Sequence, residues 1–122
     1  MNVDKETRKK LYDIWYGAVR RCHDPRRKDY HHYGGRGIHV CPEWRGTDVP
    51  NEWNGEGYLV FEQWALTHGW RDGLTLDRMN NNRGYSETNC HWISKKAQAY
   101  NRQSNEFLTY GGKTMTYKQW SD

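Results

Sequence analysis

Residues 74–101 constrain the fold more tightly than any other part of the chain. Asp72-Gly73 is a turn, and Leu74 to Met79 reads as a strand. Asn80-Asn81-Asn82-Arg83-Gly84 is loop material, and Cys90-His91-Trp92-Ile93 is a second short strand. Ser94 then caps a helix expected from Lys95 to about Gln103. Strand, loop, strand and helix in such close succession leave one economical arrangement, an antiparallel hairpin crossed by the helix. Asp77 lies near the end of the first strand, and Asn101 falls on the helix face shared by Ser94 and Ala97. A carboxylate and an amide oxygen brought together in this way are two hard ligands. They suit Mg²⁺ or Mn²⁺, which keeps several waters and completes its shell with phosphate oxygens. Such an ion polarises a phosphodiester and stabilises the leaving oxygen.

The remainder of the chain supplies the support. Asp4 is a good N-cap, and Leu11, Ile14, Trp15, Ala18, Val19 and Cys22 keep helical spacing behind it. A helix is expected from Lys5 to Cys22, ended by His23-Asp24-Pro25. Residues 26–33 read as a basic, aromatic loop. Gly34-Gly35-Arg36-Gly37 reads as a tight turn into a short strand over Ile38–Cys41. Tyr58, Phe61, Trp64, Ala65 and His68 mark a second helix that Gly69 stops. Phe107 to Trp120 reads as two strands around Gly111-Gly112, with a final helical turn. The expected fold class is therefore α+β: one small domain over 1–122, with the ββα core at about 74–104 and the hairpin-like tail at about 106–120.

Composition decides what fills the core. Seven Trp and nine Tyr stand against two Phe in 122 residues, so the interior must be built from large rings that carry polar handles. Such rings serve a core, a stacking surface for bases, or both. Charge is distributed unevenly about a net +4. Lys5–Asp29 carries nine basic and four acidic residues, Cys41–Gly73 two and six, and Leu74–Asp122 seven and four. Basic flanks around an acidic middle fit a positive face for phosphate backbones, or an ordinary solvated surface. No stretch of even ten residues is wholly apolar, so no membrane span or secretory signal is expected. Three cysteines do not suit a disulfide framework, which points to a reducing, cytoplasmic compartment.

Residues 74–102, LTLDRMNNNRGYSETNCHWISKKAQAYNR, resemble the ββα-metal core of HNH-type endonucleases. Asp77 matches that family's first Asp, Asn89 its central Asn and Asn101 its helix ligand. The likeness extends over roughly Tyr12 to Trp120. It runs through Arg21-Cys22, Tyr33-Gly-Gly-Arg-Gly-Ile38, Val40-Cys41 and Trp44, a pattern similar to small endonuclease-like proteins encoded by bacteriophages. The resemblance implies a metal-dependent enzyme that nicks phosphodiester bonds in double-stranded DNA. It implies Asp77 and Asn101 as metal ligands, with Asp77, Arg78, Asn89 and His91 in the catalytic set. Arg36, Arg83, Lys95, Lys96 and Arg102 would contact DNA.

One departure bears directly on activity. The family's general base is the His that follows the Asp, and here that position is Arg78. A guanidinium stays protonated at any biological pH and takes no proton from water. Three possibilities stay open. His91, two positions after Asn89, is the first candidate base, ahead of His31, His32 and His39. Alternatively Arg78 clamps the scissile phosphate while a metal-bound water attacks, or the protein binds DNA without cutting it. An interaction protein that merely keeps the scaffold is a further alternative.

Ordinary structural roles compete for the same residues. Asp77 could bridge to Arg78 or Arg83, Asn89 could pin the loop, and Arg36 could brace its turn. Cys22, Cys41 and Cys90 are separated by 18 and 48 residues and lack paired zinc knuckles. Buried free thiols are the expectation, with a structural zinc requiring a histidine as fourth ligand. The tail from Phe107 resembles the opening of small DNA-binding modules appended to phage homing endonucleases. Those modules continue into a helix-turn-helix, so here a packing strand pair is expected, with Lys113 and Lys118 near phosphate.

Overall fold

The computed structural model describes residues 3–97. Helix α1 spans Lys5–His23, and the Asp4 carboxylate caps it by accepting from the Thr7 amide at 2.8 Å. Its apolar stripe is the one the spacing predicts, with Leu11, Trp15, Ala18, Val19 and Cys22 buried and Ile14 packed at the edge. Asp24 closes the helix and stays ionised, its carboxyl pushed down to about 2 by hydrogen bonds from Arg26, with Arg20 adding to them.

The chain then makes two short 3₁₀ turns, Tyr30–His32 and Gly34–Arg36, rather than an open loop. The strand expected over Ile38–Cys41 does not form. Only Val40 is bridged, in parallel, to Tyr85: the Tyr85 amide donates to His39 O and the Cys41 amide to Tyr85 O, both at 2.9 Å. Pro42 then opens a one-turn helix, α2 (Pro42–Arg45), which the sequence reading lacks. Its Trp44 sits at the centre of the core, and the Trp15 indole donates to its carbonyl at 2.6 Å.

Helix α3 spans Gly55–Thr67, capped by Asn54, whose side chain accepts from the Glu56 and Gly57 amides. It starts earlier than the apolar spacing from Tyr58 suggests. The Asn54 cap sets that start, and Gly57 is needed just inside it because a Cβ there would stand 2.2 Å from Arg45 C and 2.4 Å from Trp44 O. Glycine lets α3 lie against the backbone of α2. Two chains of contact join α3 to its surroundings. Arg8 grips Glu62 through both carboxylate oxygens at 2.7 and 2.8 Å, and Tyr58 donates to the same carboxylate at 2.7 Å. Phe61 and Trp64 pack rings against Trp44 and Trp92.

Strands β1 (Leu74–Arg78) and β2 (Cys90–Ser94) form an antiparallel two-stranded sheet with Leu76 opposite Trp92, Asp77 opposite His91 and Arg78 opposite Cys90. Leu76, Trp92 and the buried Cys90 face the helices, so Asp77 and His91 fall on the other face. After Ser94 the backbone turns helical at 95–97, with the Ala97 amide donating to Ser94 Oγ at 3.0 Å. The rest of the expected helix and the tail, with Asn101, Arg102, Lys113 and Lys118, lie outside the described residues. Among the described residues no helix is long and apolar enough to cross a membrane.

Candidate active site on the hairpin

Cross-strand register sets the central contact. Because Asp77 and His91 are direct partners on one face, their side chains meet, and His91 Nε2 lies 2.8 Å from Asp77 Oδ2. An ionised carboxylate only accepts, so Nε2 carries the proton and Nδ1 is left as the free ring nitrogen. The pair is open to solvent, with side chains 22% (Asp77) and 45% (His91) exposed. A carboxylate that fixes the tautomer and orientation of an imidazole is the arrangement that prepares a histidine to accept a proton.

Asn89 does different work. It is buried, its Oδ1 accepts from the Asn80 amide at 3.0 Å, and its Nδ2 donates to Asn80 O at 3.1 Å and Gly84 O at 2.8 Å. Both amide hydrogens and the amide oxygen go into closing the 79–89 loop. That closure holds the two strand ends in register, so Asn89 positions the pair without reaching it.

Arg78 is turned away from Asp77 by strand alternation. One nitrogen of its guanidinium donates to Asn81 O at 2.8 Å and Arg83 O at 2.9 Å, and its Cζ lies 5.4 Å from the Tyr33 ring centre and 5.2 Å from that of Tyr85. Arg36 braces the same loop from outside, donating to His32 O, Asn82 Oδ1 and Asn81 O. Both arginines therefore hold backbone. Arg83, Lys95 and Lys96 are exposed beside the hairpin, with no side-chain hydrogen bond among the described residues. His31, His32 and His39 lie on the segment between α1 and α2. His39 stacks on His23 with ring centres 5.6 Å apart, well removed in the chain from the Asp77 pair.

Among the described residues Asp77 Oδ1 takes no hydrogen bond, and a free carboxylate oxygen suits Mg²⁺ or Mn²⁺. No group of three or more His, Cys, Asp or Glu converges on a point among the described residues. The cysteines are free: Cys22 and Cys90 are buried with thiols pushed up to about 12, and half-buried Cys41 to about 11, each by desolvation. At those values they are protonated thiols at neutral pH.

No family model, curated protein or solved structure matches the chain. The chemistry of the site therefore stands on its own geometry.

That geometry also draws in Arg21, which the resemblance includes but gives no site role. Arg21 reads in sequence as one of several cations on the polar face of α1. In the structure its Cζ lies 5.4 Å from the Tyr33 ring centre and 5.7 Å from Tyr85, beside Arg78. The only local signals are that Tyr33 precedes, and Tyr85 follows, a glycine that permits close approach. Their convergence is long-range and has no period in the sequence.

Proposed function

We propose that the protein is a metal-dependent DNA endonuclease of HNH type that nicks double-stranded DNA, with His91 as the general base. The observation that carries this reading is the 2.8 Å contact between Asp77 and His91 on the exposed face of the hairpin. It supplies a base at a site whose sequence places an arginine where the resembled family has its histidine. In this reading His91 Nδ1 takes a proton from water as that water's oxygen attacks phosphorus. The P–O bond to the leaving sugar oxygen breaks in the same displacement. Asp77 keeps the imidazole aligned and shares in stabilising its charged form. Asp77, with Asn101 beyond the described residues, would hold Mg²⁺ or Mn²⁺, which neutralises charge on the phosphate when bound. Exposed Arg83, Lys95 and Lys96 would set the backbone against the hairpin.

A second reading, a DNA-binding protein that does not cut, is favoured by Arg78, which holds the loop through two carbonyls and cannot act as a base. Supercoiled plasmid incubated with protein and Mg²⁺ or Mn²⁺ separates the two. The endonuclease converts it to open circle, Asp77→Ala abolishes conversion, and His91→Ala slows it by about 10²–10⁴, the usual worth of a general base. Retarded plasmid without nicking by the wild type leaves the binder alone.

A further inference from the structure

The other face of the hairpin carries a cluster of charge that the Asp77–His91 pair does not use. Arg21 from α1 and Arg78 from β1 both pack on the rings of Tyr33 and Tyr85, each Cζ between 5.2 and 5.7 Å from the two ring centres. That is within reach of a cation–π contact. Two guanidiniums sharing two rings repel each other unless something negative lies between or beside them. Among the described residues no carboxylate forms an ion pair with either. Asp24 is engaged by Arg20 and Arg26, and Asp77 by His91. Asp29 feels Arg21 through space but is held by two nitrogens of Arg27.

The donors of the two arginines are only partly spent. Arg21 gives one nitrogen to the Tyr85 hydroxyl at 3.1 Å, while its Nε is buried and has no partner. Arg78 uses a single nitrogen for both carbonyls it holds. A buried, unpaired N–H on a cation is costly, and planar guanidinium donors are satisfied together by an oxyanion such as phosphate or a carboxylate. Arg21, Arg78 and Tyr33 are each half-buried, so the cluster reaches the surface although Arg21 Nε itself is buried.

We propose that Arg21 and Arg78, walled by Tyr33 and Tyr85, bind a backbone phosphate of nucleic acid other than the one presented to Asp77 and His91. The source of the phosphate rests on the nucleic-acid reading above; the anion site itself rests on the cluster alone. Arg78 then has a function in place of the base it cannot be, anchoring the strand while its own backbone carries Asp77.

The test measures affinity for a short DNA duplex across a range of KCl, with and without a 5′-phosphate. Alongside it, the Arg21 Nε–H signal is followed by NMR as inorganic phosphate is added. Arg21→Gln is expected to weaken duplex binding and reduce the log–log salt slope by about 1, one lost phosphate contact. Arg21→Lys keeps most of the slope. Arg8→Gln, which removes an equal charge elsewhere on the same helix, leaves it unchanged. Should Arg21→Gln not fold, Arg78→Gln is read in the same way. An unchanged slope in the folded Gln variant while the wild type binds overturns the proposal, as does an equal fall in Arg8→Gln. Dependence on a 5′-phosphate overturns the backbone source. If the wild type binds no duplex at low salt, the nucleic-acid reading has failed. A saturable phosphate shift at Arg21 Nε then still supports the anion site, and its absence overturns it.

Discussion

His23 shows how much one side chain controls at the end of α1. It is 3% exposed, its Nε2 accepts from the Val40 amide at 3.0 Å, and its Nδ1 donates to Asn51 Oδ1 at 3.2 Å. Both nitrogens are committed to one neutral tautomer. Burial pushes its pKa down to about 4 from the ordinary 6.5, with Arg45 and His39 adding to the depression and the hydrogen bond to Asn51 opposing it. The sign follows directly. Between those values the unfolded chain binds the proton and the folded one does not, so stability falls as pH drops from 6.5 toward 4 and is flat above. The window is worth on the order of 3 kcal/mol. Urea midpoints from pH 4 to 8 should show this slope, and His23→Gln should flatten it. An unaltered slope in that variant would assign the effect to other groups. Nothing in the sequence separates His23 from the other five histidines, because its partners Val40 and Asn51 are distant in the chain. Arg36 and Arg78 teach the same lesson. Each is a cation suited to phosphate by type, yet Arg36 is spent on Asn81 O and Asn82 Oδ1, 45 and 46 residues away, while Arg78 gives one nitrogen to the nearby carbonyls of Asn81 and Arg83.

At the scale of elements, the parts read from periodicity and caps were legible. Helix α1, strands β1 and β2, the Asn80–Gly84 loop and the Ser94 cap fall close to their expected positions. Those features are local: a cap meets its own first turn, and a stripe repeats along one helix. What was not legible depended on another element. The strand expected at Ile38–Cys41 is reduced to one bridge because its partner is Tyr85, and Gly84 must lie so near that a Cβ would stand 2.0 Å from His39 O. Glu62 is another such case, an acidic residue on the buried side of α3 that Arg8 and Tyr58 together explain. Arg8 holds the Glu62 carboxyl below its ordinary range, so the tie contributes stability above that range and loses it as the carboxyl protonates. A double-mutant cycle with Arg8→Gln and Glu62→Gln should give a coupling of about 1–2 kcal/mol, less than a fully buried pair because Arg8 is half exposed. A coupling near zero would make α1 and α3 depend on ring packing alone.

Across the whole molecule the question is whether the hairpin that carries Asp77 and His91 can hold its shape apart from the helices. Two strands alone are marginal in water. This pair is anchored by Trp92, whose ring meets Phe61 at 6.1 Å, Trp64 at 5.6 Å and Trp70 at 6.5 Å between centres. The same ring network continues through Trp44, whose carbonyl accepts from Trp15 on α1. A core of large rings concentrates many contacts in few residues, so losing one ring loosens several elements together. Trp92→Ala should therefore cost on the order of 2–3 kcal/mol, somewhat less than truncating a fully buried ring. That is a large part of the 5–15 kcal/mol typical of a small domain. Helical circular dichroism and near-ultraviolet aromatic signals should still fall at one shared, lower midpoint. The nicking proposed for the Asp77–His91 pair should be lost at that same temperature. Should the helical signal instead persist while the aromatic signal and nicking fail early, the hairpin is an appended unit. Its register would then owe more to the Asn89-pinned loop than to the core.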